Sequence, residues 1–233
     1  MALIIHIETA TKVCSVSLSE GSEIIAFRES NILNSHSSLI TNFVDQVIKE
    51  AGKSLNNLDA VSVSMGPGSY TGLRIGASTA KGLCYSLDKP LIAINTLQAM
   101  ANGFISEGNY ERALFCPMID ARRMEVYCGF FNNQNKVIVP VSAVIIDENS
   151  FSELLSENTL YFFGDGAEKC KSSLSNHQNV FFNGDFCTSS KYLVSIAEEK
   201  FKYKEFENTA YFEPFYLKDF LAGKPKVKGL LNI

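Results

Sequence analysis

The chain has 233 residues, enough for one large domain or two lobes of roughly 100 residues each. Hydrophobic residues make up 46% and charged residues 20%, which excludes a disordered or fibrous chain. The net charge of −4 argues against an unaided grip on a polyanion, and no apolar stretch approaches the ~20 residues that cross a bilayer.

Residues 3–7 are apolar almost throughout, as in a central strand covered on both faces. Residues 13–19 alternate, with Cys14, Val16 and Leu18 on one side and Ser15, Ser17 and Ser19 on the other. A turn at Gly21 leads into a third strand over 24–27. A helix follows, capped by Ser37 or Ser38, with Ile40, Phe43, Val44, Val47, Ile48 and Ala51 at helical spacing before Gly52 stops it. A strand over 60–65, a glycine-rich turn and a helix over 73–87 come next. Residues 91–94 then lead into a short helix over 97–104.

The order β-β-β-α-β-α then repeats. Strands are expected over 114–119, 126–131 and 137–146, followed by a helical stub over 151–155 and a strand over 160–163. A helix over 167–174, a short strand over 180–182 and an amphipathic helix over 192–201 complete the series. Two β-β-β-α-β-α lobes are the topology of an α/β, actin-like or Hsp70 ATPase-type (ribonuclease H-like) fold. The expected divisions are 1–104, 105–211, and a C-terminal segment with a basic tail over 212–233. In that tail Lys218, Lys224, Lys226 and Lys228 face one acid, Asp219, and it reads as a solvated end.

Residues 1–8 lack the basic stretch and long apolar run of a signal peptide. Cys14, Cys84, Cys116, Cys128, Cys170 and Cys187 are scattered, with no CxxC pair, so a reducing cytoplasm is the expected compartment. His6, His36 and His177 lie far apart, with no metal-binding spacing.

The most distinctive segment is Gly66-Pro67-Gly68-Ser69-Tyr70-Thr71-Gly72-Leu73-Arg74-Ile75-Gly76, between a strand and a helix. Glycines there permit a tight turn, and free N–H groups at such a place hold anions. The segment meets neither the Walker pattern, which needs Gly-Lys-Ser/Thr, nor the dinucleotide fingerprint, whose glycine falls on Thr71. Gly76, Ala77, Ser78, Ala80 and Gly82 make the following helix rich in small residues, which allow close packing inside the chain or against a partner. At the first hairpin, Glu8-Thr9-Ala10-Thr11 stands where nucleotide-binding members of the fold carry Asp-x-Gly-Thr. The methyl of Ala10 blocks close approach of a phosphate, so Glu8, Thr9 and Thr11 read as vestigial phosphate-loop positions. No nucleophile elbow is present. Asp120-Ala121-Arg122-Arg123-Met124-Glu125 reads as a hairpin turn, with a ligand role across an interlobe cleft as the other reading.

Together these segments resemble one family. Ile7-Glu8-Thr9-Ala10-Thr11, the glycine segment, Ala93-Ile94-Asn95-Thr96-Leu97, and Ile119-Asp120-Ala121-Arg122 with Glu125-Val126-Tyr127 occur in the order of the bacterial tRNA threonylcarbamoyladenosine partner subunits. Those are paralogues of the threonylcarbamoyl transferase, long filed as peptidase M22-like or glycoprotease-like proteins. The similarity is strong over about residues 3–128. The resemblance implies a non-catalytic cytoplasmic subunit with no cofactor or metal, which scaffolds or activates the catalytic paralogue. Its other implied partners are the ATPase subunit of the same complex, tRNA indirectly, and a second copy of itself when alone. The catalytic paralogue's two metal-holding histidines fall on Thr96 and Met100, neither of which replaces imidazole. The family's partner surface maps onto helices over about 37–51 and 73–87, with Phe43, Val47, Ser69, Tyr70, Thr71, Arg74, Ala77 and Lys81 as expected contacts. The rival readings are an actin-like ATPase or small-molecule kinase, and a metallopeptidase.

Overall fold

The computed structural model describes residues 1–32, 36–108, 110, 112–175 and 179–218. His177, Asp219, Lys224, Lys226 and Lys228 lie outside the described residues. The first lobe contains β1 (Leu3–Glu8), β2 (Cys14–Glu20), β3 (Glu23–Ser30), α1 (His36–Glu50), β4 (Ala60–Gly66), α2 (Tyr70–Leu87) and β5 (Leu91–Asn95). After α3 (Thr96–Ser106) come β6 (Ala113–Asp120), β7 (Glu125–Phe131), β8 (Val137–Ile145), α4 (Ser152–Glu157), β9 (Thr159–Phe163), α5 (Ala167–Leu174) and β10 (Val180–Asn183). The last helix is α6 (Val194–Lys202).

The two five-stranded sheets have the orders β3-β2-β1-β4-β5 and β10-β9-β6-β7-β8. In the first, β1 is antiparallel to β2 and β2 to β3, while β4 runs parallel to β1 and β5 to β4. In the second, β6, β7 and β8 repeat the antiparallel part, and β9 and β10 repeat the parallel one. The expected duplication is therefore real, and the plan is actin-like.

Each sheet is covered on both sides, which explains its near-continuous apolar strands. On the first sheet, Ile5, Ile7, Val16, Val61 and Val63 pack under Ile40, Val44 and Val47 of α1 and Ala77 and Ala80 of α2. The opposite face is closed by helices that exchange sides. α3 follows the first sheet in sequence, yet Leu97, Met100, Ala101 and Phe104 pack on Phe115, Phe131 and Phe163 of the second. α6 follows the second sheet, yet Ile196 and Ala197 pack on Ile4, Ile92 and Ile94 of the first. Phe104 and Phe163 stack with ring centroids 4.1 Å apart, at the middle of this layer.

The alternation in β2 does not mark a solvent face. Ser15, Ser17 and Ser19 are fully buried, because the second lobe's residues 188–193 close over them. The Ser190 N–H donates to Ser15 Oγ (2.8 Å). In the same layer His6 is buried between two hydroxyls, with Nδ1 2.7 Å from Ser62 Oγ and Nε2 2.8 Å from Ser19 Oγ. Burial pushes its pKa from the usual 6.5 down to about 3.

The imidazole is held neutral in the fold, whereas the unfolded chain protonates it below about pH 6.5. Its contribution is therefore complete above pH 6.5 and is lost as pH falls toward 3, by up to about 1.4 kcal/mol per unit. Denaturant titrations across that window should give His6→Gln a shallower acid loss than the parent chain, although it starts less stable. Equal acid slopes in the two proteins would contradict the buried neutral ring.

Candidate functional site

The turn between β1 and β2 and the start of α2 form one packed unit. Ser69 caps α2 in an extended conformation, its Oγ accepting the Gly72 N–H (3.3 Å), so the helix starts at Tyr70 rather than 73. The N–H of Ser69 donates to the Ala10 carbonyl (2.6 Å), and Thr9 Oγ1 donates to the Gly72 carbonyl (2.8 Å). A Cβ at Gly72 would stand 2.1 Å from Thr9 O, and one at Gly68 would stand 2.3 Å from Ala10 O. One at Gly76 would stand 2.3 Å from Thr9 Oγ1. These glycines let the helix lie against the hairpin backbone. The Ser69 N–H, a donor that could hold an anion, is turned onto the chain's own Ala10 carbonyl.

The vestigial phosphate positions are similarly committed. Glu8 is fully buried, and its Oε1 accepts the Ala10 N–H (2.6 Å). Burial pushes its carboxyl from 4.5 up to about 7, partly opposed by that N–H. Thr11 Oγ1 lies 2.7 Å from Thr188 Oγ1 of the second lobe, and His36 Nε2 donates to the Thr11 carbonyl (2.9 Å). Thr11, Met100, Asp165, Phe186 and Thr188 surround an interlobe space of only about 10 Å³. That is room for about one water molecule, far below what a nucleotide fills.

Thr96 and Met100, where the resemblance would put the paralogue's metal-holding histidines, are used in packing. Thr96 is buried and its Oγ1 accepts the Gly66 N–H (3.1 Å), tying α3 to the end of β4. Met100 lies under Gly164, where a Cβ would come within 2.8 Å of its Cε. A hydroxyl and a thioether in these contacts do not fit an imidazole-held metal. Among the described residues, no three His, Cys, Asp or Glu side chains are grouped as metal ligands.

The Asp120–Glu125 cluster is a braced hairpin. Asp120 Oδ1 accepts the Arg122 N–H (2.8 Å) and pairs with Lys169, which also donates to the Arg123 (2.7 Å) and Glu125 (2.8 Å) carbonyls. Although partial burial works against it, hydrogen bonding and charge from Lys169 hold the Asp120 carboxyl below its usual range. Arg122 and Arg123 adopt left-handed backbone in the turn, at φ 71° and 54°, and both are exposed.

The expected partner contacts divide. Phe43, Val47 and Ala77 are buried in the first lobe's own core, so they are unavailable to a partner. Lys81 is also committed, its Nζ donating to the Ala210 (3.1 Å) and Phe212 (3.0 Å) carbonyls. Ser69, Thr71 and Arg74 are exposed. Tyr70 is half-buried under Tyr216, with centroids 5.1 Å apart, and the Arg74 guanidinium lies 4.2 Å above its ring.

Two features escaped the sequence reading. Residues 207–218 form a strap across both lobes: Glu207 N–H donates to Leu91 O (2.8 Å) and Phe215 N–H to Met65 O (2.7 Å). Lys218 then pairs with Glu125 of the second lobe. The other is Tyr85 on α2, 89% accessible and on the same outward side as Ser78 and Gly82, two of the small residues the sequence singled out. A Cβ at Gly82 would meet nothing within 4 Å. An aromatic residue beside an interior helix glycine was the available signal.

A family model described as TsaD, tRNA N6-adenosine threonylcarbamoyltransferase, matches residues 31–222. The chain is 27% identical to "tRNA threonylcarbamoyladenosine biosynthesis protein TsaB" of Haemophilus influenzae, over 95% of each chain. It is 37% identical to the protein of the same name in Escherichia coli, over 53% of this chain and 52% of that one. A solved structure from Pseudomonas aeruginosa, described as an uncharacterized protein with similarity to peptidase YEAZ, superposes with a TM-score of 0.82. It covers 94% of this chain and 100% of that one at 23% identity, which bears on the fold. With most of its length inside the matched family and its full-length similarity to the TsaB-type proteins, the chain belongs to the tRNA N6-adenosine threonylcarbamoyltransferase family.

Proposed function

We propose that this chain is the non-catalytic partner subunit in the transfer of threonylcarbamoyl to N6 of adenosine 37 in tRNA. It holds or activates the catalytic paralogue in the cytoplasm and works beside an ATPase subunit. One observation carries the reading: the places where this fold would bind a nucleotide or a metal are filled by the chain's own atoms. Gly68, Gly72 and Gly76 serve contact with Thr9 and Ala10, and the space beside Thr11, Asp165 and Thr188 is about 10 Å³. Thr96 and Met100 supply packing in place of ligands. The names of the similar proteins support the pathway.

The partner surface we assign is the solvent side of α2: Thr71, Arg74, Ser78, Gly82 and Tyr85. Glycine inside a helix costs about 1 kcal/mol relative to alanine. Gly72 and Gly76 are explained by internal contact, whereas Gly82 faces open space. A small residue there lets another helix approach closely, and Tyr85 one turn away supplies an aromatic anchor.

Reconstitution with the catalytic paralogue, the ATPase subunit, tRNA and threonylcarbamoyl-adenylate tests the function. Modified adenosine should form only when this chain is present, and the chain alone should form none. Equal modification without it defeats the reading.

The glycines give a second test by thermal and denaturant unfolding. Gly82→Ala should raise stability by up to about 1 kcal/mol. Gly72→Ala should lower it by about 1–3 kcal/mol or more, because the hairpin backbone has to move. Gly82→Arg should fold normally and fail to bind the catalytic paralogue; tight binding by that variant removes α2 from the interface.

A further inference from the structure

Beside α2, the strap builds a pocket of about 220 Å³ lined by Met65, Glu207, Asn208, Tyr211, Phe212 and Glu213. Pockets for small-molecule ligands run to about 300–1,000 Å³, so this one has the size for a single large side chain. Met65 and the buried Phe212 supply an apolar wall, and polar side chains line the rest. Asn208 Oδ1 accepts the N–H groups of Ala210 (3.1 Å) and Tyr211 (3.4 Å), which fixes the loop that carries the rim. The Tyr211 ring is 84% exposed, an unusual display of aromatic surface.

Among the described residues neither Glu207 nor Glu213 makes an ion pair. The neighbouring cation, Lys81, donates to the Ala210 and Phe212 carbonyls. Since Lys81 stands on α2 one turn before Tyr85, the pocket continues the outward α2 surface rather than forming a separate face. An apolar wall, an exposed aromatic residue and two carboxylates with no ion pair among the described residues together match a side chain with an aliphatic stem and a flat cationic head. Arginine has that form, stacking its guanidinium on aromatic rings and binding carboxylates in a fork.

We infer that this pocket receives an arginine side chain of the catalytic paralogue, extending the interface from α2 onto the strap. The inference rests on the partner-subunit reading. In the complex the aliphatic stem lies against Met65 and Phe212, while the guanidinium lies between Glu207 and Glu213 beside Tyr211. The contact is electrostatic, so it weakens with salt.

Calorimetric titration of the catalytic paralogue into the full chain, at low and at physiological salt, tests it. The doubly substituted chain carrying Glu207→Gln and Glu213→Gln should bind roughly tenfold more weakly at low salt. Its affinity should also vary less with salt than that of the parent. Charge reversal at both positions should weaken binding further, and unchanged unfolding curves separate either effect from misfolding. If the doubly neutral variant binds like the parent at both salts while Gly82→Arg does not bind, the pocket inference is overturned and the partner reading survives. If Gly82→Arg also binds like the parent, the α2 interface and the pocket that extends it both fall.

Discussion

The structure turns on how close α2 comes to the first hairpin. At Gly72 the helix backbone lies so near the Thr9 carbonyl that a single methyl group would have to occupy it. Gly68 and Gly76 repeat the condition on either side, and Thr9 and Ser69 lock the contact with hydrogen bonds. A backbone N–H can point at a carbonyl or at a phosphate, but not at both. Once Ser69 N–H is given to Ala10, the helix start has lost a donor needed for an anion site. The same approach turns the other side of α2, with Ser78, Gly82 and Tyr85, outward.

The exchange of α3 and α6 extends this logic to the cleft. Each helix leaves one lobe and covers the sheet of the other, so the layer between the sheets is a shared core. Phe104 stacks on Phe163 and meets Phe115, Tyr161 and Phe186, and aromatic pairs of this kind add roughly 0.5–1.5 kcal/mol each beyond burial. Residues at the mouth of the cleft are then recruited to packing: Met100 under Gly164, Thr96 to the end of β4, and Thr11 to Thr188. The strap closes the remaining side, running from the edge of β5 over Gly66 to Glu125.

Most elements were legible because their signals are local. Strand and helix periods, and the turns at Gly21 and Gly52, locate the duplicated lobe, and Ala167–Leu174 was placed to the residue. Burial depends on distant segments and was less legible. Ser15, Ser17 and Ser19 alternate like a wetted face but are sealed by residues 188–193. Phe43, Val47 and Ala77 were expected at a partner, yet a helical period marks an apolar stripe without saying which neighbour covers it. The strap has no period at all; its place is set by backbone bonds to Leu91 and Met65 and by Lys81.

The small residues of α2 show why sequence alone left internal packing and partner packing unresolved. Gly72, Gly76 and Gly82 look alike in one dimension, and each forgoes the helical preference of alanine. In three dimensions two of them meet the hairpin at 2.1–2.3 Å and the third meets nothing within 4 Å. Stability within the chain accounts for the first two, since any side chain would push the helix off the turn. It does not account for the third, where alanine would fold better. No contact within the described residues explains a glycine at that place. On the proposed partner-subunit reading, the reason is a second protein laid along this side of α2, beside Tyr85 one turn away.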